Sequence, residues 1–405
     1  MIPDLLGGLA REPAECIVRI NDAPIDALYP LLAEVVVETG RNAPDTATLT
    51  FETRRDEHGE WAVQDATGLF DDTPLIREWS RVSIVAAFGM REEEVLRGFI
   101  RQIRAEYPED AGAAKLIVEC QDESLQLDRS HRRKSWGTET LPSSDQLILT
   151  ETLGNYRGLA PDPMNGSGQH RIVGLNQDGT DIGLLQARAE DNGFELIFRR
   201  GVVYFGPPRP GLPTPQPMLM VYAGRAGNCI AINVTADAHQ PDAVAFDLPA
   251  ESGASTTEVR VEPDLPLLGR ERAGNAESGL PPFVWRMSGE AGTSEARLRA
   301  KAQHKANEAD LHKIQAEGEL DGTLYGHVLL PGLPVGVDGL GSRLSGLYYV
   351  DGVTHTFNAQ GYRQKFRLLR NAWGDTLDSL PGAGPLAAVM GGLDLSFGIS
   401  IGTGS

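Results

Sequence analysis

Residues 331–357, PGLPVGVDGLGSRLSGLYYVDGVTHTF, decide the fold that we predict for this chain. The pattern predicts two strands joined by a turn that is rich in glycine (Gly336, Gly339, Gly341 and Gly346). A phosphate-binding loop would need Gly-x4-Gly-Lys-Ser/Thr, or GxGxxG between a strand and a helix. Here a strand with two adjacent tyrosines follows the turn. The glycines therefore indicate positive φ angles and close backbone approach rather than a cofactor site.

A second stretch repeats this pattern. Residues 81–107, RVSIVAAFGMREEEVLRGFIRQIRAEY, also predict a strand, a glycine-containing turn, and Leu-x-Gly entering a long strand that closes with an aromatic residue. Leu96 and Gly98 correspond to Leu344 and Gly346, and one more strand follows each copy. The distance from glycine to closing aromatic differs by two residues, so the repeat is weak. It predicts two related β-barrels rather than one large barrel.

Composition restricts the class of protein. A chain of 405 residues has room for two to four domains, and 46 glycines with 26 prolines favour short strands and turns. The formal net charge of −19 argues against nucleic acid as the main partner, because phosphate binding needs a basic face. The same charge suits a protein that must stay soluble before it assembles.

The cysteines and the termini give further expectations. Cys16, Cys120 and Cys229 are far apart with no CxxC, which predicts three reduced, buried thiols. The start MIPDLLGGLAREP lacks the pattern of a signal peptide. No stretch approaches the roughly 18 apolar residues that would span a bilayer, so we expect no membrane insertion.

We predict a mainly β fold with an α+β insert. The division has a first tube-type β-barrel at 1–125, an α/β insert at 126–205, a second such barrel at 206–373, and a Gly-rich apolar extension at 374–405. The second barrel contains a long loop at 250–292 and an alanine-rich helix at 293–317. The loop, the helix and the tail at 381–405 are the predicted interface segments.

The insert carries the clearest local signals. A helix is predicted within 143–159, capped by Ser143 or Ser144, and another begins at Thr180 or Asp181. Asn192-Gly193 predicts a left-handed helix end, followed by a hairpin at 194–206 that turns at Arg200-Gly201. Thr293 or Ser294 is the predicted cap of the alanine-rich helix.

Three patterns in the sequence resemble binding sites. His304, Glu308 and His312 form a stripe of zinc-type ligands on the alanine-rich helix, but positions i and i+8 lie about 12 Å apart, so a solvated face is favoured. Asp178 and Asp181 hint at calcium, but helix capping explains them more simply. The third pattern is a basic run, which favours a solvated loop or salt-bridging arm over a nucleic-acid patch (Arg129, His131, Arg132, Arg133, Lys134).

No motif places a catalytic residue. The chain has neither GxSxG nor HExxH. We therefore assign no catalytic, cofactor-binding or metal residue, expect no cofactor, and predict that the protein is not an enzyme.

Four segments taken in order resemble a known family, the late control protein D and VgrG-type baseplate hubs of contractile tails and injection systems. The resemblance covers about residues 15–373 and departs from the VgrG type, because no OB-fold and β-helical spike follow. The segments are VLRGFIRQIRAEY, IVECQDESLQLDR, DGTDIGLLQARAEDNGFELIFRRGVVYFG and GTLYGHVLLPGLPVGVDGLGSRLSGLYYVDGVTHTFNAQGYRQKFRLLRNAWGD.

The resemblance implies a homotrimer in which two similar barrels per chain make a pseudo-sixfold ring. Such a ring joins a hexameric tail tube to a trimeric spike, here a separate protein, with other baseplate proteins or luminal cargo as further partners. It implies a place in the tail or baseplate of a particle assembled in the bacterial cytoplasm. Part of the negative charge would then face the channel. Two alternatives stay open: a distal-tail or adhesin-like binding module, and a metal-dependent hydrolase using His304 or His312.

Overall fold

The computed structural model describes residues 13–55, 58, 60–63, 75–213, 215–224, 227–249, 256–274, 279–288 and 294–377. The described chain is mainly β, as predicted. Its strands are β1 Ala14–Ile20, β2 Ala23–Pro24, β3 Leu32–Gly40, β4 Thr46–Glu52, β5 Arg81–Phe88, β6 Arg91–Glu106, β7 Lys115–Asp122, β8 His131–Trp136, β9 Ala160–Pro161, β10 Leu175–Thr180, β11 Glu195–Arg199, β12 Val202–Gly206, β13 Gln216–Met220, β14 Cys229–Ala236, β15 Ala243–Pro249, β16 Thr256–Val261, β17 Glu271–Arg272, β18 Val284–Met287, β19 Ile314–Asp321, β20 Pro334–Asp338, β21 Gly346–Asn358, β22 Gly361–Arg370 and β23 Ala372–Trp373. The helices are α1 Asp145–Leu153, α2 Asp181–Asn192, α3 Glu295–Leu311 and α4 Gly322–Tyr325.

One large sheet of 13 strands carries both ends of the described chain. Its order is β14-β19-β22-β21-β3-β4-β7-β6-β5-β1-β2, with β20 and β13 branching from β21. All neighbours pair antiparallel except β13 and β20. The sheet stays continuous because β21 pairs with β20 along its first half and with β3 along its second half.

The same six-strand order occurs twice in this sheet. The first unit is β3-β4-β7-β6-β5-β1, and the second is β14-β19-β22-β21-β20-β13. The strands of each unit also follow one another along the chain in the same sequence. The repeat predicted from residues 81–107 and 334–357 is therefore present as a repeat of strand order. The outermost pair differs in direction, since β1 pairs antiparallel with β5 and β13 pairs parallel with β20.

Two β-bulges set the register of this repeat. Arg101 bulges out of the β6–β7 ladder and Asp351 out of the β21–β22 ladder. When the two bulges are aligned, Tyr107 of the first copy corresponds to Phe357 of the second, since each lies six residues after its bulge. The predicted equivalence of the glycine anchors is wrong by two residues, since Gly98 then corresponds to Tyr348 rather than Gly346. Each copy has one bulge at the equivalent position, so the two extra residues lie between Gly346 and Asp351, and local sequence does not reveal where a bulge falls.

The insert folds as its sequence predicts. Ser144 caps α1 by accepting from the Leu147 amide, and Thr180 caps α2 by accepting from the Gly183 amide. Gly193 ends α2 in the left-handed conformation, with φ of 67°. The β11–β12 hairpin turns at Arg200 and Gly201, both with positive φ.

The region predicted as a long loop at 250–292 contains paired strands. β16 and β18 flank β15 in a small sheet, and β17 pairs with β23. The α3 helix, capped by Ser294, packs Leu298, Ala302 and Ala306 on this sheet. The helix ends at Leu311 rather than 317, because residues from Ile314 onward pair with β22 instead.

Three larger hydrophobic cores underlie these parts. One lies beneath the first six-strand unit, one beneath the second, and one inside the insert. Phe357 and Tyr362, from β21 and β22, pack into the core of the first unit. The two units are therefore joined by shared packing as well as by hydrogen bonds.

No helix of the described part is long and apolar enough to cross a membrane. The tail at 381–405, predicted to dock on a partner, lies outside the described residues.

Candidate functional site

The largest candidate surface is one face of the continuous sheet, which we name the polar face. It consists of the outward-pointing residues of β14, β19, β22, β21, β3, β4, β7 and the second half of β6. Neighbouring residues along a strand alternate between this face and the cores, as a sheet with one wet side requires. Thr46, Thr48 and Thr50, for example, alternate with buried Ala47, Leu49 and Phe51.

The ladder registers line up side chains into rows across the polar face. One row crosses seven strands, and its members are half-buried or exposed: Ala231, Glu319, Lys365, Thr354, Glu38, Thr46 and Gln121. Acids and bases stand next to one another in it, as in the Glu319–Lys365 pair. The face therefore presents mixed charge and hydroxyl groups rather than an apolar patch.

A shallow groove of about 420 Å³ crosses the polar face where the two units meet. Glu38, Glu317, Lys365 and Arg367 line it. The groove therefore presents two carboxylates and two cations side by side. The histidine and the cysteines of the described strands of the polar face point away from it: Cys120 and Cys229 pack at the cores, and His355 is fully buried.

A charge cluster centred on the buried Arg41 links the two units, the insert and α3. The guanidinium of Arg41 contacts three carboxylates: Glu195 at 2.8 Å, Glu308 at 3.0 Å and Asp351 at 3.0 Å. These residues come from the end of β3, from β11 of the insert, from α3 and from β21. Four parts of the fold therefore meet at one cation.

Tyr349 completes the cluster. Its hydroxyl donates to Glu195 Oε2 at 2.8 Å and accepts from the backbone amide of Arg209 at 3.0 Å. Its ring lies 5.3 Å from the Arg41 guanidinium carbon. Glu195 is thus bonded on both oxygens, which a buried carboxylate requires.

Burial and charge act against each other on these carboxyl groups. Burial raises the pKa of Glu195, and the charge of Arg41 only partly opposes it. Burial also acts to raise the pKa of Glu308, but there the two bonds from Arg41 outweigh it and the pKa is lowered. Burial alone would lower the pKa of Arg41, but Glu308 and Glu195 raise it well above its usual range. Arg41 is therefore a permanent cation.

The stripe of His304, Glu308 and His312 is not the solvated face that we favoured, since all three side chains are half-buried. It does not form a metal cluster either. The carboxylate of Glu308 is occupied by Arg41, and the Nδ1 atom of His312 lies 2.8 Å from the Glu308 carbonyl oxygen. Burial lowers the pKa of His304, whose Nδ1 has no hydrogen-bond partner. Within the described ranges, no three His, Cys, Asp or Glu side chains are grouped as a metal site.

The basic run forms an edge strand and pairs with acids of the insert. His131 and Arg133 both contact Asp178, at 2.7 and 3.0 Å, and Lys134 pairs with Glu151. Arg129 instead stacks on the ring of Trp79 at 3.8 Å. The salt-bridging arm, one of the two favoured interpretations, is the one that the structure shows.

The capping role predicted for Asp178 and Asp181 is wrong. Thr180 caps α2, while Asp181 is buried and accepts from Gln177 and from the Tyr156 hydroxyl, each at 2.7 Å. Arg132 adds a 3.0 Å ion pair to Asp181. Both carboxylates are therefore bound by cations and amides, which explains their positions without a calcium ion.

The cysteines are unpaired, with Cys120 buried and Cys16 and Cys229 half-buried. Burial raises the pKa of the Cys16 thiol to about 12 and that of Cys229 to about 11. Such thiols are weak nucleophiles near neutral pH.

The Arg41 cluster was not predicted from the sequence. Arg41 sits in an ordinary turn sequence, and its partners lie 154, 267 and 310 residues away. Of the cluster's members, only Glu308 belongs to a pattern that the sequence suggests as a site, the stripe on α3. The two adjacent tyrosines within residues 331–357 were the one sequence feature that pointed toward the Arg41 cluster, since Tyr349 belongs to it.

The fold is shared with solved tail proteins. A 43 kDa tail protein of prophage MuSo2 from Shewanella oneidensis matches with a TM-score of 0.64 and 13% identity, over 88% of this chain and 98% of that chain. A tail protein from Neisseria meningitidis MC58 gives 0.59 and 13%, over 89% and 98%. A type VI secretion system component of E. coli, described as structurally similar to the T4 tail proteins gp27 and gp5, gives 0.51 and 12%, over 91% and 80%.

At the level of sequence, no curated protein matches the chain. One family model does, and it is described as the Alg8 N-terminal domain; it is not the late control protein D family to which we noted a resemblance. The match runs over residues 18–359, which is most of the chain; it begins within β1 and ends just before β22. The chain therefore belongs to the Alg8 N-terminal domain family.

Proposed function

We propose that this protein is a structural hub subunit of a phage tail or contractile injection system and that it performs no catalysis. One observation carries the proposal: the same six-strand unit occurs twice in one chain and within one sheet. Three copies of such a chain supply six similar units. A ring of that kind matches a sixfold tube on one side and a threefold spike on the other.

The polar face is the channel wall in this proposal. It runs through the inner strands of both units and has mixed charges that keep it wet. The two units are the two tube-type barrels predicted at 1–125 and 206–373, with the insert at 126–205 and the extension at 374–405 as separate parts. The shared fold with prophage tail proteins supports this interpretation.

The partners follow from the ring. They are two further copies of this chain, a tail tube protein, a separate spike protein, and other baseplate proteins or luminal cargo. The protein binds no nucleic acid stably, needs no cofactor or metal, and works in the tail or baseplate of a particle assembled in the bacterial cytoplasm. We keep the late control protein D and VgrG-type relationship as part of the proposal.

The mass of the purified protein in solution tests the proposal. Light scattering at several concentrations, with negative-stain images of the same sample, should give three times 43.7 kDa and a ring with a central hole and six lobes. If the protein alone is a monomer, its mass is measured again after mixing with the spike protein. A chain that remains monomeric in that mixture contradicts the hub proposal. A stable dimer or a compact particle without a channel contradicts it too, and would favour a binding module.

A further inference from the structure

We propose that neighbouring copies of this chain join by strand pairing, with β14 of one copy bound to the second half of β6 of the next. The joint would reproduce the pairing of β3 with β21 inside the chain. This inference rests on the proposed ring, but it adds a specific register that the ring alone does not give.

Two strand edges lack a described partner. β14 pairs with β19 on one side, and no described strand pairs with its other side. The first half of β6 pairs with β5 as far as Phe99, and backbone bonds to the stretch before β5 end at Ile100. From Arg101 to Glu106, β6 pairs with β7 alone among the described strands. Exposed edges of this length invite another strand.

The chain contains its own template for closing these edges. In the repeat, β14 corresponds to β3 and β6 corresponds to β21. The second half of β21 pairs with β3, with Thr354 opposite Glu38. The two open edges are therefore the counterparts of two strands that are already bound to each other.

The bulges fix the register of the proposed joint. Arg101 corresponds to Asp351, which makes Arg104 the counterpart of Thr354. On the other side, β3 has a register shift next to Leu32 and β14 has one next to Cys229. The residues skipped at these shifts are Ala33 in β3 and Ile230 in β14, and Glu38 and Thr235 each lie five residues later. Thr235 is therefore the counterpart of Glu38. The joint then places Arg104 opposite Thr235 of the next copy.

The other pairs follow from an antiparallel ladder. Glu106 lies opposite Asn233 of the next copy, and Gln102 lies opposite Asp237. Arg104 then stands diagonally across from Asp237, at a distance that long side chains span. The joint continues the polar face from one copy to the next, with a charge pair at the seam.

Burial supports the same pairing from the core side. At the joint inside the chain, Val37 and His355 are 0% exposed. Their counterparts at the open edges are Val234, which is half-buried, and Ala105, which is exposed. Likewise Val353 is 3% exposed while its counterpart Ile103 is half-buried. The edges thus leave apolar side chains partly uncovered that a neighbouring strand would bury.

Cysteine pairs test the register. The variant Arg104→Cys/Thr235→Cys, built on Cys229→Ser, should form a disulfide between copies under mild oxidation, seen as covalent oligomers on a non-reducing gel. The chain supplies a positive control, because Thr354→Cys/Glu38→Cys sits at the template joint and should close within one copy. In the negative control, Arg104→Cys/Ala231→Cys, the second cysteine is displaced by four residues, about 13 Å along the strand.

The outcomes separate this inference from the proposed function. Covalent trimers that form with Arg104→Cys/Thr235→Cys but not with the negative control, and without larger species, support both the joint and the ring. Particles with trimer mass that remain uncrosslinked at Arg104→Cys/Thr235→Cys contradict the joint but leave the hub intact. Crosslinked dimers or open chains support the joint and contradict the ring. A protein that stays uncrosslinked, whatever its mass, overturns the inference.

Discussion

Nη1 of Arg41 lies 2.8 Å from Oε1 of Glu195, with the two side chains 1% and 2% exposed. Arg41 follows β3 in the first six-strand unit, while Glu195 begins the hairpin of the insert. The pair therefore ties the insert to the sheet, and Glu308 and Asp351 bring α3 and β21 to the same cation.

Replacing Arg41 should destabilise the whole chain. Arg41→Met leaves Glu195 and its neighbours without a counter-ion, and losing one partner of a buried pair costs about 3–5 kcal/mol. Chemical denaturation measures the loss. The matched control is Arg19→Met, whose partner Glu92 is 49% exposed, and it should change stability by less than about 1 kcal/mol. Equal effects of the two variants would show that the cluster does not hold the parts together.

His355 should make the protein sensitive to acid. The side chain is fully buried, and burial lowers its pKa from 6.5 to about 3. Below pH 6.5 the unfolded chain takes up a proton that the folded chain does not, so the free energy of unfolding falls between pH 6.5 and about 3.

Unfolding curves over that pH range, for the protein and for His355→Gln, give the contribution of this residue. The variant should lose less stability on acidification. His170→Gln, at an exposed position, should keep the steep pH dependence of the original protein. A His355→Gln variant as acid-sensitive as the original protein would contradict the assignment.

Gly98 should tolerate no side chain. A Cβ at this position would lie 1.9 Å from the carbonyl oxygen of Gln121, which is backbone and cannot turn away. Gly98→Ala should therefore cost about 3 kcal/mol. Gly179→Ala is the matched control in a strand, because no heavy atom lies within 4 Å of its Cβ. Its thermal midpoint should stay close to that of the original protein, and a similar fall in both would refute the steric reason.

Zinc should not stabilise the protein. Since Arg41 occupies the carboxylate of Glu308, the stripe on α3 has no free acid between its histidines. Thermal unfolding with excess zinc and with EDTA should give the same midpoint, because a metal that binds the folded state raises it. A higher midpoint with zinc that disappears in His304→Ala would revive the hydrolase alternative.

Local signals predicted the local structure well. Ser144, Ser294 and Gly193 mark helix ends by side-chain or backbone chemistry that acts within a few residues. The hairpin at Arg200-Gly201 has the same origin. The repeat was visible because β5, β6 and β7 and their counterparts β20, β21 and β22 keep the same strand–turn–strand pattern.

Long-range pairing explains the failures. β16 forms because β15 and α3 supply partners, which the sequence TTEVRV does not show alone. The glycine anchors were misaligned because Gly98 lies three residues before its bulge and Gly346 lies five before its own, and the bulges that set the true register depend on both strands of a ladder. The Arg41 cluster needs four distant segments, so a lone arginine in the sequence could not indicate it.

The sharing of β21 has a mechanical consequence. One strand, with a bulge at Asp351, serves both six-strand units, so a movement of one unit against the other would break hydrogen bonds of its ladders. We expect the two units to move as one rigid body rather than as two domains joined by a flexible linker. A load applied to one unit is therefore passed directly to the other through continuous backbone.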